Sequence, residues 1–111
     1  MTLLAQEQLS QAQGDVAMDK LAVDNLLQDL KGWNLTHSSE IPRVEKTYLF
    51  GDFAEALAFA NQVGELAEKG NHHPALLVEW GKVTVSWWSH SLGGLHRNDL
   101  IMAARTDTLA G

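Results

Sequence analysis

Two adjacent histidines stand directly before a proline in the stretch EKGNHHPALL, Glu68 to Leu77. They are two of only five histidines in a chain of 111 residues that has no cysteine. An imidazole titrates near neutrality and can give or take a proton at pH 7, so clustered histidines suit general acid–base work. His90 and Asp99 follow downstream, and Glu68 stands just upstream. The plain competing reading is a loop merely rich in solvated histidines. Histidines with Glu68 or Asp99 could also hold zinc, whose catalytic sites use three protein ligands and an open position. Adjacent histidines, however, are not the spaced HxxxH pair that puts two imidazoles on one helix face. Ser89 and Ser91 flank His90, but sequence neighbours rarely form a nucleophile and its base, and no elbow motif surrounds them. Gly93-Gly94 lacks the glycine spacing and the lysine of a phosphate loop. Acid–base chemistry is the reading these residue types favour.

Such chemistry needs elements that bring distant residues together. Asp19 can cap a helix through KLAVDNLLQDLK, with Leu26, Leu27 and Leu30 on one face and Gly32 as its stop. The segment GWNLTHSSEIPRVEKTYLF reads as two strands around a Ser-Ser-Glu turn, with Pro42 just beyond it. Asp52 is a good cap for the strongest helix, FAEALAFANQVGELAEKG, which Gly70 is placed to end. HHPALLVEWGKVTVSWW reads as a hairpin turning near Gly81-Lys82. A loop then leads to a last helix, from about 96 to 105. Pro74 pushes His73 towards an extended conformation, so the two histidines point to opposite sides. If the third and fourth strands pair, the start of one lies near the end of the other, bringing His72, His73 and His90 to one sheet edge. Asp99 starts the last helix.

The order is a helix followed by β-β-α-β-β-α. Paired strands with tight turns and amphipathic helices predict a two-layer α+β domain: a four-stranded antiparallel sheet with helices packed on one face. Residues 16–111 form that single domain, and the Gln-rich residues 1–15 are expected to be a weakly ordered tail. Trp33, Trp80 and Trp87 are expected in the core. Trp88 faces the other way, as a pocket wall or an oligomer surface. His37 and His96 are expected at the surface.

Composition narrows the function. Eight basic against fourteen acidic residues, a formal charge of −6, oppose a general phosphate-binding surface, so no nucleic acid is expected. No apolar run approaches the roughly 20 residues of a membrane span, so no membrane role is expected. The absence of cysteine rules out a disulfide framework and a thiolate metal site. The N-terminus lacks the basic and apolar regions of a signal peptide, and the expectation is a cytoplasmic protein.

Glu68-Lys69, then NHHP, Trp80 after five residues, His90 after nine more and Asp99 after a further eight form a pattern. It resembles the signature of the pterin-4a-carbinolamine dehydratase family. The likeness extends to LKGWNL, IPRVEKTYLFGDFAEALAFANQVGELAEKGNHHP and HSLGGLHRND. It covers about residues 19 to 107 and is similar to the bacterial branch. The resemblance implies dehydration of a 4a-hydroxytetrahydropterin to quinonoid dihydropterin, in pterin recycling, without metal or organic cofactor. It also implies a four-stranded antiparallel sheet with helices on one face, a homodimer or homotetramer, and coupling to an aromatic amino acid hydroxylase.

Catalytic roles carry over to His72, His73 and His90, with His72 and His90 handling protons and His73 chiefly holding the ring. Asp99 would orient an imidazole or contact the substrate. Glu68, Asn71, Pro74, Trp88, Ser89 and Ser91 are the remaining candidates for substrate contact. The resemblance leaves open a non-catalytic dimerisation or assembly role on the same fold, and a role in molybdopterin metabolism. The chain departs from some relatives at Asn71, Leu76 and His96, the last where a Ser or Thr commonly caps the final helix.

Overall fold

The computed structural model describes residues 3–10, 16–37 and 40–110. The elements are α1 (Lys20–Leu27), β1 (Asn34–Thr36), β2 (Arg43–Leu49), α2 (Phe53–Gly70), β3 (Ala75–Glu79), β4 (Lys82–Trp87) and α3 (Arg97–Ala110). The strands form one antiparallel sheet in the order β1-β2-β4-β3. The expected α+β architecture is thus the observed one. Ser38 and Ser39 of the expected first turn lie outside the described residues, as do 1, 2 and 11–15 of the expected tail.

Local signals account for the helix starts. Asp19 accepts a hydrogen bond from the Ala22 amide and Asp52 one from the Glu55 amide, each satisfying an otherwise unpaired donor of the first turn. Alternation sets the sheet faces. Val44, Tyr48, Val83, Val85 and Trp87 are buried beneath Ala56, Phe59, Ala60, Val63 and Ala67 of α2 and Leu100, Met102 and Ala103 of α3. On the opposite face Leu49 and Leu77 are exposed, and the hydroxyls of Thr47 and Thr84 meet at 3.0 Å.

α3 carries an aspartate near each end. At its C-terminal end Asp107 accepts from Trp33 Nε1 at 3.2 Å, from Lys46 Nζ at 2.8 Å and from the Tyr48 hydroxyl. Burial, reinforced by the hydrogen bond to Asp107, pushes the Tyr48 phenol well above its ordinary pKa. It therefore remains a donor that ties β2 to α3.

Two expectations need correction. Trp80 is not core: it sits at the tip of the β3–β4 hairpin and is 72% exposed. The turn consists of Trp80 and Gly81, and only Gly81 takes a positive φ, +76°. His96 is buried rather than at the surface. Residues 3–10, weakly patterned in sequence, lie along α3. There Arg105 donates to the carbonyls of Ala5 and Glu7, Arg97 grips Glu7 through two bonds of 2.7 Å, and Asn98 bonds Ser10 in both directions.

Candidate active site

The end of α2 places the first histidine. Asn71 follows the helix with φ 48° and ψ 42°, the left-handed conformation that asparagine tolerates better than most residues. Its amide returns to the Glu68 carbonyl and the His72 amide to the Ala67 carbonyl, at 3.3 and 3.1 Å. This paired closure turns the chain back across the helix end and pins the backbone of His72. Gly70, the expected stop, serves packing instead, since a Cβ there would lie 3.0 Å from Leu9 Cδ1 and 3.3 Å from Met102 Cε. Glycine allows the close approach, and asparagine makes the reversal.

The start of α3 fixes the ring of that histidine. His72 Nε2 donates to Asp99 Oδ1 at 2.5 Å, and Asp99 is fully buried. The other carboxylate oxygen accepts from Ser89 Oγ at 2.8 Å and from the His96 amide at 2.9 Å. The last contact is a capping box, with the third helical residue reaching back to the amide that precedes the helix. His96 completes it, because its Nδ1 accepts the Asn98 amide at 3.0 Å and so replaces the Ser or Thr oxygen of an ordinary cap. That role buries His96. The helix N-terminus also favours the negative charge of Asp99. With Nε2 committed to Asp99, His72 has Nδ1 left for a ligand.

The second imidazole comes from the loop after β4. Ser89 pairs with Gly94 across it, amide to carbonyl at 2.8 Å, and a short 3-10 turn over His90–Leu92 closes the interior. Gly94 has no room for a side chain, since a Cβ would lie 2.9 Å from that of Ala17. His90 is exposed and lies against the Trp88 ring, centroids 4.5 Å apart. The Arg43 guanidinium covers Trp88, 3.8 Å from the ring centroid. Trp88 is on the sheet face opposite Trp87 as expected, yet it is buried between Arg43 and His90 and forms no open surface.

Between these elements lies an open cleft of about 310 Å³, lined by Asn71, His72, His73, Ser89, His90 and Ser91. Strand pairing thus brings the three candidate histidines to one cleft. Asp99, expected among the substrate contacts, is fully buried behind its hydrogen bonds to His72 and Ser89 and is not among the residues that line the cleft. Trp88 backs His90, and Pro74 shapes the chain into β3 outside the lining. Glu68 meets His73 Nε2 in solvent at the rim. Among the described residues no three His, Cys, Asp or Glu side chains are grouped to hold a metal ion. None of their helices is long and apolar enough to cross a membrane.

Sequence reasoning misses two contributions. Ser89 is expected from the sequence only as a substrate contact, but its hydroxyl also donates to Asp99. Trp87 is core by its alternation, and its ring also lies parallel to His72. The spacing of Asp99 and Thr106, seven residues and two turns apart on α3, is the available signal for what holds that tryptophan.

Comparison with known proteins agrees with this geometry. The family described as "Pterin 4 alpha carbinolamine dehydratase" matches residues 16–109. A relative from Microcystis aeruginosa is 53% identical over 110 residues, 98% of this chain and 95% of its own length. One from Vibrio cholerae is 51% identical over 96 residues, 86% of this chain and 88% of its own. The names of both place them among the pterin-4-alpha-carbinolamine dehydratases. The crystal structure of a transcriptional coactivator/pterin dehydratase from Brucella melitensis superposes with a TM-score of 0.77 at 28% identity, covering 86% of this chain and 99% of that one. A pterin dehydratase-like protein identified as a RuBisCO assembly factor in the alpha-carboxysome gives 0.60 at 26% identity, over 72% of this chain and 90% of its own.

Proposed function

The chain belongs to the pterin-4-alpha-carbinolamine dehydratase family, whose members are hydro-lyases by name, and from that premise we propose that its histidine cleft dehydrates a 4a-hydroxytetrahydropterin. The observation that carries the reading is the meeting of His72, His73 and His90 on one cleft, with His72 backed by a buried carboxylate. Breaking the C4a–O bond requires protonation of a poor leaving group. Forming the C4a=N5 double bond requires loss of the N5 proton. Two imidazoles on one cleft supply both transfers at neutral pH.

In this reading His90, exposed and able to exchange protons with solvent, donates to the hydroxyl, which leaves as water. His72 takes the N5 proton at Nδ1, and Asp99 stabilises the positive charge that its ring gains. His73 and Asn71 hold the pterin. Proton exchange with water then resets both histidines, and the product is the quinonoid dihydropterin. The substrate arises where an aromatic amino acid hydroxylase oxygenates its pterin, and coupling to such an enzyme belongs to the proposal. So does a homodimer or homotetramer, which sedimentation equilibrium measures directly.

The test follows the decay of 4a-hydroxytetrahydropterin, generated in situ by a hydroxylase, by ultraviolet absorbance. Intact protein is expected to accelerate the decay, and His72→Ala or His90→Ala to cut that acceleration by about 10²-fold or more. The likeness to a RuBisCO assembly factor favours one alternative, a non-catalytic assembly role. Folded protein that leaves the uncatalysed decay unchanged would replace the dehydratase reading with it.

A further inference from the structure

We infer that Trp87, held by Thr106, is a positioning residue that sets the plane of the His72 imidazole; the kinetic part of this inference rests on the dehydratase reading. The His72 and Trp87 rings are parallel within 6°, their centroids 5.7 Å apart, an offset stack of the kind aromatic quadrupoles favour. Trp87 is fully buried at the end of β4. Its indole N–H donates to Thr106 Oγ1 at 3.2 Å, and that hydroxyl donates its own hydrogen to the Met102 carbonyl at 2.7 Å. The direction of the chain is therefore fixed: indole N–H to hydroxyl, hydroxyl to helix carbonyl.

Packing alone would bury a tryptophan here. The Thr106 acceptor adds a choice of ring rotation, and with it the slope of the surface on which His72 rests. Asp99 and Thr106 lie two turns apart on α3, about 10 Å along its axis. One helix thus locates the same imidazole twice, by its edge through Asp99 and by its face through Trp87. An edge bond alone leaves a ring free to swing about the bond. Closing that freedom aims Nδ1 at one point in the cleft, and near-attack geometry is sensitive to errors of about 1 Å.

The test compares Thr106→Val, which keeps the shape and loses the acceptor, with Thr106→Ser, which keeps the acceptor, and adds Trp87→Phe, which keeps the face without the N–H. Two readouts are taken on protein shown to be folded. The first is the ring-current displacement of the His72 ring protons by NMR, assigned with His72→Gln, which needs no substrate. The second is kcat against KM. Thr106→Val and Trp87→Phe are expected to change the His72 displacement and to lower kcat several-fold at unchanged KM, because neither residue lines the cleft. Thr106→Ser is expected to restore both. A loss of thermal stability alone, with the His72 resonances and kcat unchanged, would overturn the inference and leave Trp87 as core. If the wild type proves inactive, the dehydratase reading falls, and the NMR displacement still decides whether Thr106 orders the His72 ring.

Discussion

His72 and His73 are neighbours that each face a carboxylate, and the two pairs could hardly differ more in setting. The His72 side chain is 17% exposed and its partner Asp99 0%, whereas His73 is 50% exposed and Glu68 77%. Asp99 also accepts from Ser89 and from the start of α3, and His72 rests on Trp87. Glu68 and His73 meet in water, where Coulomb attraction is screened and two mobile side chains must be ordered. A histidine and a carboxylate thus form a fixed unit on one side of an extended backbone and a mobile rim pair on the other. Environment, more than residue identity, separates the two pairs.

The largest expected effect would break the comparison outright. Asp99→Ala leaves the partly buried His72 imidazole and two buried donors without their acceptor, and is expected to lower stability by about 3–5 kcal/mol in denaturant titration. Glu68→Ala is expected to cost under ~1 kcal/mol. Comparable losses would show that burial does not separate the pairs.

The reversal at Asn71 sharpens the point, since it sends His72 inward and His73 outward. A β-branched residue in the left-handed region is strained, so Asn71→Val is expected to cost about 1–2 kcal/mol by the same titration, and Asn71→Gly little. The support behind Asp99 comes next. His96→Ala removes the helix cap and is expected to cost ~1 kcal/mol of thermal stability, which His96→Ser restores.

The smallest effect concerns the N-terminal segment on α3, remote from both pairs. The hydrogen bonds from Arg97 hold the Glu7 carboxyl below its ordinary value, and burial opposes them. A depressed folded-state pKa adds stability that is present above the ordinary value of 4.5 and lost as pH falls through the lower folded one. Amide protection, relative to the intrinsic exchange rate at each pH, is therefore expected to fall over residues 3–10 on acidification below about pH 4.5, and Glu7→Gln to remove that dependence.

Much of the architecture was legible because its causes are local. Asp19 and Asp52 cap the helices expected of them, and alternation along β4 puts Val83, Val85 and Trp87 inward. The meeting of the three histidines followed from pairing β3 with β4. What escaped the sequence depends on which distant surface arrives. Asn71 took the helix-ending role expected of Gly70, while Leu9 and Met102 pack against the glycine. Trp80 fell on a two-residue turn, where no second layer covers it. His96 looked like a surface residue because an imidazole used as a helix cap has no periodic signature. Residues 3–10 bind α3 largely through Arg97, Asn98 and Arg105, contacts that no hydrophobic pattern announces.

The proposed division of labour gives removal of the N5 proton to the His72–Asp99 pair, with His90 as the acid, and adjustment of the rim to the exposed pair. Its most direct test is a single assay of 4a-hydroxytetrahydropterin dehydration by Asp99→Asn and Glu68→Gln, two near-isosteric changes, on protein verified as folded. The account predicts that Asp99→Asn lowers kcat by on the order of 10²–10⁴-fold and Glu68→Gln by less than about 10-fold. Equal losses, or a larger one from Glu68→Gln, would contradict it.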